Sequence, residues 1–366
     1  MKICILVYNV NLHGGLEIVS KRLEKQFKSV GICAEIISLC EQFVLNKRLS
    51  KNKIKNISQK IIENDFTNVI ISLPDPFCAL ADLRLARELE KKTRVDYVIH
   101  NSPLFFIKRY RNNFDNSFVY FLKYIKTKVY IKPRAIRFFK LCYRCKIGII
   151  TISSGNKNEL EKYYGIKAPV IKNAFDITAI RKNSFKDKLH QIIFCGRMDF
   201  QQKNLFFLLD AWKLVKHRDW KLIMVGRGEK KLLYDYIEFN RISEVELVEE
   251  VAHESINRLF ENSSITVLTS LYEGFPTVFL EAAANCNALV STKYDGYSDE
   301  ILKNGVNGFV TDFDLMQFAD KLQILMDNRE LLLLFQENSL KLFLNYSKTT
   351  AVDEWLSYWA FRTKEN

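Results

Sequence analysis

No stretch of this sequence reaches about 18 uninterrupted apolar residues, so nothing in it reads as a bilayer span. Low-complexity tracts and fixed-period repeats are also missing, which sets aside disordered and solenoid classes. The opening run MKICILVYNV carries one Lys, lacks a small-residue cleavage site and leads into a glycine turn; it reads as a buried strand rather than a signal peptide. A soluble or peripheral protein is expected. Cys142 and Cys145 form a Cys-x-x-Cys with no second pair and no thioredoxin-like strand before it, so neither zinc nor dithiol chemistry is indicated. The eight cysteines are scattered, several in strand-like runs (Cys4, Cys33, Cys195) where a thiol serves as a small apolar filler, a pattern suited to a reducing cytoplasm.

Acid is scarce in one place. Between Lys108 and Lys146 twelve Lys or Arg face a single acid, Asp115, so this segment carries eleven of the thirteen net positive charges. Phe114, Phe118, Tyr120, Phe121, Tyr124, Tyr130, Phe138, Phe139 and Tyr143 are interleaved with them. Positive charge among aromatics attracts polyanions, and an anionic membrane surface is the favoured partner for 108–146. The alternative is a solvated helix with an aromatic core side. No nucleic-acid motif accompanies the charge, and no nucleic-acid partner is expected.

What is present is a globular composition, 48% hydrophobic and 27% charged, in 366 residues, a length that suggests two domains. Short apolar β-rich runs alternate with helix-period segments throughout, the signature of parallel sheets covered by helices. The expected strands are 2–8, 34–39, 68–72, 96–100, 148–152 and 170–172, then 191–195, 221–225, 246–248, 265–268, 288–291 and 309–311. The pattern restarts near residue 190, after a polar, Lys-rich linker at 177–190. The domains are therefore placed at 1–176 and 190–345, with an aromatic C-terminal helix, 350–363, that needs a surface to pack on.

In open parallel sheets ligands gather beyond the carboxyl ends of the strands, so the residues following each strand carry the candidates. After the first strand comes His13-Gly14-Gly15-Leu16-Glu17, where the glycines allow an anion to approach a helix N-terminus. The turn is not the Gly-x-Gly-x-x-Gly of a dehydrogenase. After the seventh strand, Gly196-Arg197 is followed by Lys203 beside a helix start, two cations suited to a diphosphate, a pair of ordinary surface cations being the alternative. Val225-Gly226-Arg227-Gly228 repeats the strand–glycine arrangement. Glu273 and Glu281, in Ser270-Leu271-Tyr272-Glu273-Gly274-Phe275-Pro276-Thr277-Val278-Phe279-Leu280-Glu281, can face one ligand along a helix N-terminus. Carboxylates accept from sugar hydroxyls, and turn amides donate to phosphate; an ordinary helix with one exposed Glu remains the alternative.

The order Gly14-Gly15-x-Glu17, Gly196-Arg197 with Lys203, Ser270-x-x-Glu273-Gly-Phe-Pro-x4-Glu281-Ala, and Gly305-x-Asn307-Gly308 resembles the retaining glycosyltransferases of family 4 over nearly the whole chain. The resemblance implies the GT-B fold, α/β with two Rossmann-like domains whose parallel sheets face across a cleft. It implies that Arg197 and Lys203 grip the donor diphosphate, that Glu281 binds ribose hydroxyls and that Glu273 contacts the transferred sugar. By the same resemblance Thr277 and Val278 offer backbone amides, Gly196, Gly226, Gly274 and Phe275 shape the donor site, and His100 sits beneath the sugar. Asn173-Ala174-Phe175-Asp176 is similar to the family's Asn-Gly-x-Asp turn, with Ala174 in place of glycine, and Asn285-Cys286-Asn287-Ala288 and Asp295-Gly296-Tyr297-Ser298-Asp299-Glu300 depart from family patterns.

The implied reaction moves a hexose or N-acetylhexosamine from a nucleotide sugar, with UDP favoured, to a hydroxyl of a lipid-linked or lipopolysaccharide-type glycan acceptor. No cofactor is expected and no metal, since cations and helix dipoles stabilise the leaving group. Asp312-Phe313-Asp314 reads as a helix cap rather than a metal motif. The expected location is the cytoplasmic face of the cell membrane. An epimerase of the same fold and a basic binding protein without enzymatic activity are the competing readings.

Overall fold

The computed structural model describes residues 1–9, 15–39, 50–73, 80–104, 118–175, 188–228, 230–248 and 253–364. His13, Gly14, Asp176, most of the expected linker and the 108–117 part of the basic segment lie outside the described residues. The chain divides into two compact units, Met1–Asp176 with Thr349–Asn366, and Ile177–Lys348. Each contains one parallel sheet.

In the first unit the strands are β1 (Lys2–Val7), β2 (Cys33–Ser38), β3 (Asn68–Leu73), β4 (Arg94–Ile99) and β5 (Gly148–Thr151), in the order β2-β1-β3-β4-β5. The helices are α1 (Gly15–Ser29), α2 (Lys51–Glu63), α3 (Leu80–Leu89), α4 (Phe118–Arg144) and α5 (Ser154–Tyr164). Residues Ile3 to Val7 of β1 are all fully enclosed, as an inner parallel strand covered on both faces must be. Period-two alternation sends Val95, Tyr97 and Ile99 of β4 into one core with Ile54, Ile61, Leu85, Leu89, Phe138 and Phe139 of α2, α3 and α4. Asp96, Val98 and the following His100 then belong to the opposite face. α5 opens on Ser153, whose hydroxyl accepts from the Asn156 amide, and closes on Gly165 at φ 69°.

The second unit holds β6 (Leu189–Cys195), β7 (Lys221–Val225), β8 (Val245–Val248), β9 (Ser263–Leu268), β10 (Ala288–Thr292) and β11 (Gly308–Thr311), ordered β11-β10-β9-β6-β7-β8. Its helices are α6 (Phe200–Lys203), α7 (Leu205–Leu214), α8 (Lys231–Phe239), α9 (His253–Asn262), α10 (Thr277–Ala284), α11 (Leu315–Asp327) and α12 (Arg329–Tyr346). The strand order reverses between β6 and β9, and in doubly wound sheets that switch point is where a crevice opens at the carboxyl edge. Asp314 caps α11 by accepting from the Gln317 amide.

The last helix, α13 (Ala351–Lys364), belongs to the first unit and packs against α1. Trp355 and Trp359 are 2% and 1% exposed, and Trp359 stacks on Phe27 at 5.9 Å. Burial of side chains this large contributes about 2 kcal/mol or more each. On the same face of β4, Asp96 is wholly enclosed and accepts from Tyr358 Oη (3.0 Å), Trp359 Nε1 (2.7 Å) and Arg362 Nη1 (2.5 Å). Three donors offset part of the cost of enclosing that carboxylate, and burial still holds its pKa above the usual value.

Two local expectations are corrected. Residues 170–172 form no strand; Val170 makes one isolated bridge to Thr151. Ile171 N–H donates to Thr151 O and Thr151 N–H to Pro169 O, and the ladder cannot run back beyond that pair because Pro169 has no N–H; the Lys172 N–H, on the other side of the chain, goes to Glu354 Oε2 at 2.8 Å. Cys33 is exposed rather than a core filler, since it begins β2, the edge strand of its sheet.

Candidate functional site

The carboxyl ends of β6 and β9, adjacent in the sheet though far apart in sequence, carry the main constellation. β6 leads into Gly196 and Arg197, and β7 into Gly226, Arg227 and Gly228. Gly226 has φ 155°, and a Cβ there would lie 1.7 Å from the Gly196 carbonyl oxygen; one at Gly228, φ 136°, would lie 2.7 Å from Met198 Cβ. Only glycine lets the β7 loop run this close along the β6 loop. The closeness is held by Gly196 N–H to Val225 O (3.0 Å) and Met198 N–H to Arg227 O (2.6 Å).

Asp199 caps the short helix α6, accepting from the Gln201 and Gln202 amides. Lys203 ends that helix, and Asn204, left-handed at φ 52°, joins it to α7. Lys203 thus precedes the α7 N-terminus instead of lying inside it, and its chain extends over Gly196, where a Cβ would be 3.5 Å from Cε. From the β9 loop, Glu273 meets it: Nζ to Oε1 is 2.5 Å, and both residues are under a tenth exposed. The Glu273 amide donates to Asp295 O at 3.4 Å and the Asp295 amide to Leu271 O at 3.1 Å, so the unusual β10 loop braces the Glu273 loop.

Gln202, which sequence reasoning passed over, lies at the centre. Its Oε1 accepts from Arg197 Nη2 at 2.9 Å, and its Nε2 donates to Tyr272 O (3.2 Å) and Glu273 Oε2 (3.4 Å). A glutamine in a short helix has no periodic signature, so no sequence signal could have found it.

Glu273 is followed by buried Gly274, Phe275 and Pro276, then half-buried Thr277 and Val278 in the first turn of α10. Pro276 gives that helix no side-chain cap. Phe275 stacks on Tyr346 of α12 at 5.8 Å. Glu281 lies further along α10, partly exposed, close enough to act on Cys195. Burial pushes the Cys195 thiol up to about 12, Glu281 adding to the rise and Lys203 opposing it. Arg197, Lys203, Glu273 and Glu281 therefore surround the ends of β6 and β9.

His100 and Gly15 belong to the first unit. Gly15 opens α1, exposed, with no atom within 4 Å of where a Cβ would stand. His100 follows β4 and shares a small cavity with Ser20, Ser72, Asn173, Ala174 and Trp355. Its Nε2 is 2.8 Å from Ser72 Oγ, which is 3.2 Å from Ser20 Oγ, and Ser20 donates to Leu16 O at 2.9 Å. A hydroxyl has one proton: with that of Ser20 on Leu16 O, Ser72 donates to Ser20, and the imidazole donates from Nε2–H to Ser72. Loss of water around the ring pulls its pKa down to about 4, so at neutral pH it is uncharged with the lone pair on Nδ1.

Among the described residues no group of three or more His, Cys, Asp or Glu is placed to hold a metal ion. Cys142 and Cys145 are buried in the first unit's core. No helix among the described residues is long and apolar enough to cross a membrane.

Residues 176–342 match the family model described as Glycosyl transferases group 1. The amylovoran biosynthesis glycosyltransferase AmsD of Erwinia amylovora is 26% identical over 236 residues, 60% of this chain and 64% of that protein. An α-1,4-N-acetyl-D-galactosaminyltransferase of Campylobacter jejuni, named for a diNAcBac-PP-undecaprenol-linked substrate, is 21% identical over 63% of this chain and 64% of its own length. The chain thus matches less than two thirds of either relative. Anabaena HepE, solved in complex with UDP-glucose, superposes with a TM-score of 0.74 at 15% identity, over 98% of this chain and 100% of that one. Both α/β units share the GT-B fold of these neighbours.

Proposed function

With residues 176–342 a group 1 glycosyl transferase domain, we propose that this chain transfers a sugar from a nucleoside diphosphate donor to a glycan hydroxyl in bacterial surface-polysaccharide assembly. The observation that carries the reading is the Arg197–Gln202–Glu273–Lys203 cluster at the switch point of the second sheet. Two cations there can neutralise the charge that builds on a departing diphosphate, the term that dominates such transfers. Glu273 offers carboxylate oxygens to sugar hydroxyls and Glu281 to the ribose. UDP is the favoured carrier, on the likeness to a protein bound to UDP-glucose.

In the proposed reaction the bond from the anomeric carbon to the phosphate oxygen breaks as the acceptor oxygen bonds to that carbon on the same face. The acceptor proton leaves with the diphosphate, and configuration is retained. Uncharged His100, with its lone pair at Nδ1, is assigned to the sugar's hydroxyls. The acceptor is a lipid-linked or lipopolysaccharide-type glycan, and the PP-undecaprenol in the Campylobacter relative's name supports the lipid-linked form.

The basic segment supports a place at the cytoplasmic membrane face. On α4, Leu122, Ile125 and Val129 are 50%, 43% and 57% exposed, and Arg134, Arg137, Lys140 and Arg144 are exposed further along. Apolar side chains beside cations suit an anionic lipid surface. The test is a transfer assay with radiolabelled UDP-sugars and undecaprenyl-diphosphate-linked glycans. UDP release that requires the acceptor supports transfer; conversion of the nucleotide sugar without any acceptor would favour an epimerase.

A further inference from the structure

Gln202 is 3% exposed, and chemistry dictates how its carboxamide is turned. A guanidinium only donates, so Oε1 must face Arg197; a carbonyl and a carboxylate only accept, so Nε2 must face Tyr272 O and Glu273. Its main-chain oxygen accepts from the Leu271 amide at 2.8 Å, so backbone and side chain both tie α6 to the β9 loop. The exposed Arg197 guanidinium is held against the buried cluster by this amide.

Glu273 divides its oxygens, Oε1 to Lys203 and Oε2 to Gln202. An incoming diphosphate carries more charge than one carboxylate and competes for the Lys203 ammonium. The amide's bonds to Tyr272 O and Glu273 Oε2 meet no such competitor, and a guanidinium has further N–H groups to give phosphate while one stays on Gln202. We propose that Gln202 is a positioning residue for the donor site: it keeps the diphosphate cation Arg197 and the sugar carboxylate Glu273 in fixed relation as Lys203 turns from Glu273 to phosphate. This rests on the proposal that the second unit binds a nucleoside diphosphate sugar. It also explains why the position is uncharged. Arg197 from the β6 loop, Lys203 on the same helix and Glu273 from the β9 loop all face it, and a carboxylate there would repel Glu273 and compete with phosphate for Arg197.

The experiment titrates UDP calorimetrically into the full chain and into Gln202→Met and Gln202→Glu, with melting temperatures alongside. Gln202→Met keeps the volume and loses every side-chain hydrogen bond; UDP affinity should fall about tenfold, near the worth of a charged hydrogen bond. Gln202→Glu should lose more at about pH 8, where the new carboxyl is ionised, and regain most of it relative to wild type at about pH 5.5, where it is protonated and can donate. Wild-type protein that binds no nucleotide overturns the donor reading itself. Wild-type binding matched by both variants at either pH overturns the role of Gln202 alone. So does a loss that follows melting temperature in both variants with no recovery at low pH, for Gln202 would then serve only folding.

Discussion

Lys203 Nζ lies 2.5 Å from Glu273 Oε1, with side chains 11% and 9% exposed, so the residue assigned to the diphosphate and the one assigned to the sugar are bound to each other. Removing either leaves a largely buried charge without its opposite. Lys203→Met and Glu273→Gln should each destabilise by about 3–5 kcal/mol, and the double variant should recover most of that loss. Urea unfolding of the four proteins of the cycle tests this; additive losses would refute the pairing. Nucleotide affinity should stay low in the double variant, separating the pair's part in folding from its part in binding.

His100 offers a second test through pH. Its folded pKa, about 4, lies below the ordinary 6.5, so the unfolded chain binds the proton first as pH falls. Stability from this residue is complete above about pH 6.5 and is lost between there and about pH 4, to a total of roughly 3 kcal/mol. His100→Gln should flatten that part of the stability profile. An unchanged slope would mean that the ring is hydrated and protonates normally.

Asp96 joins α13 to the first sheet through Tyr358, Trp359 and Arg362. Asp96→Ala removes the shared acceptor of Tyr358, Trp359 and Arg362, leaving Arg362 only neutral partners such as Lys146 O, and should cost about 3–5 kcal/mol. Amide exchange in 351–364 should rise before that of β1, since the helix loses its polar anchor while the strand keeps its ladder. Equal rises throughout would point to global unfolding instead.

For the basic face of α4, vesicles containing anionic lipid should sediment the protein at low salt and release it at high salt, because screening shortens the reach of surface charge. Replacing Leu122, Ile125 and Val129 by Ser should weaken binding at every salt concentration. Sedimentation unaffected by salt would contradict an electrostatic contact.

The strands were legible because buried parallel strands read as unbroken apolar runs; Lys221–Val225 coincides with its expected bounds, and β1 differs only at its end. The 170–172 run misled because three apolar-flanked residues resemble an edge strand until Pro169, which has no N–H, is seen to stop its ladder to β5. Arg197, Lys203, Glu273 and Glu281 could be named from motif order, but their arrangement could not. The Lys203–Glu273 contact depends on β9 lying beside β6, and a strand order is not written in either segment. Gln202 and Asp96 were invisible for the same reason: each is an ordinary polar residue until a distant element supplies its partners.

The central claim, that the second unit receives a nucleoside diphosphate sugar, is tested most directly by calorimetric titration with UDP, GDP and ADP, using Lys203→Met and Glu281→Ala as controls. One nucleotide, expected to be UDP, should bind the wild-type chain and bind each variant at least about tenfold more weakly. No binding of any of the three, or binding indifferent to both substitutions, would contradict it.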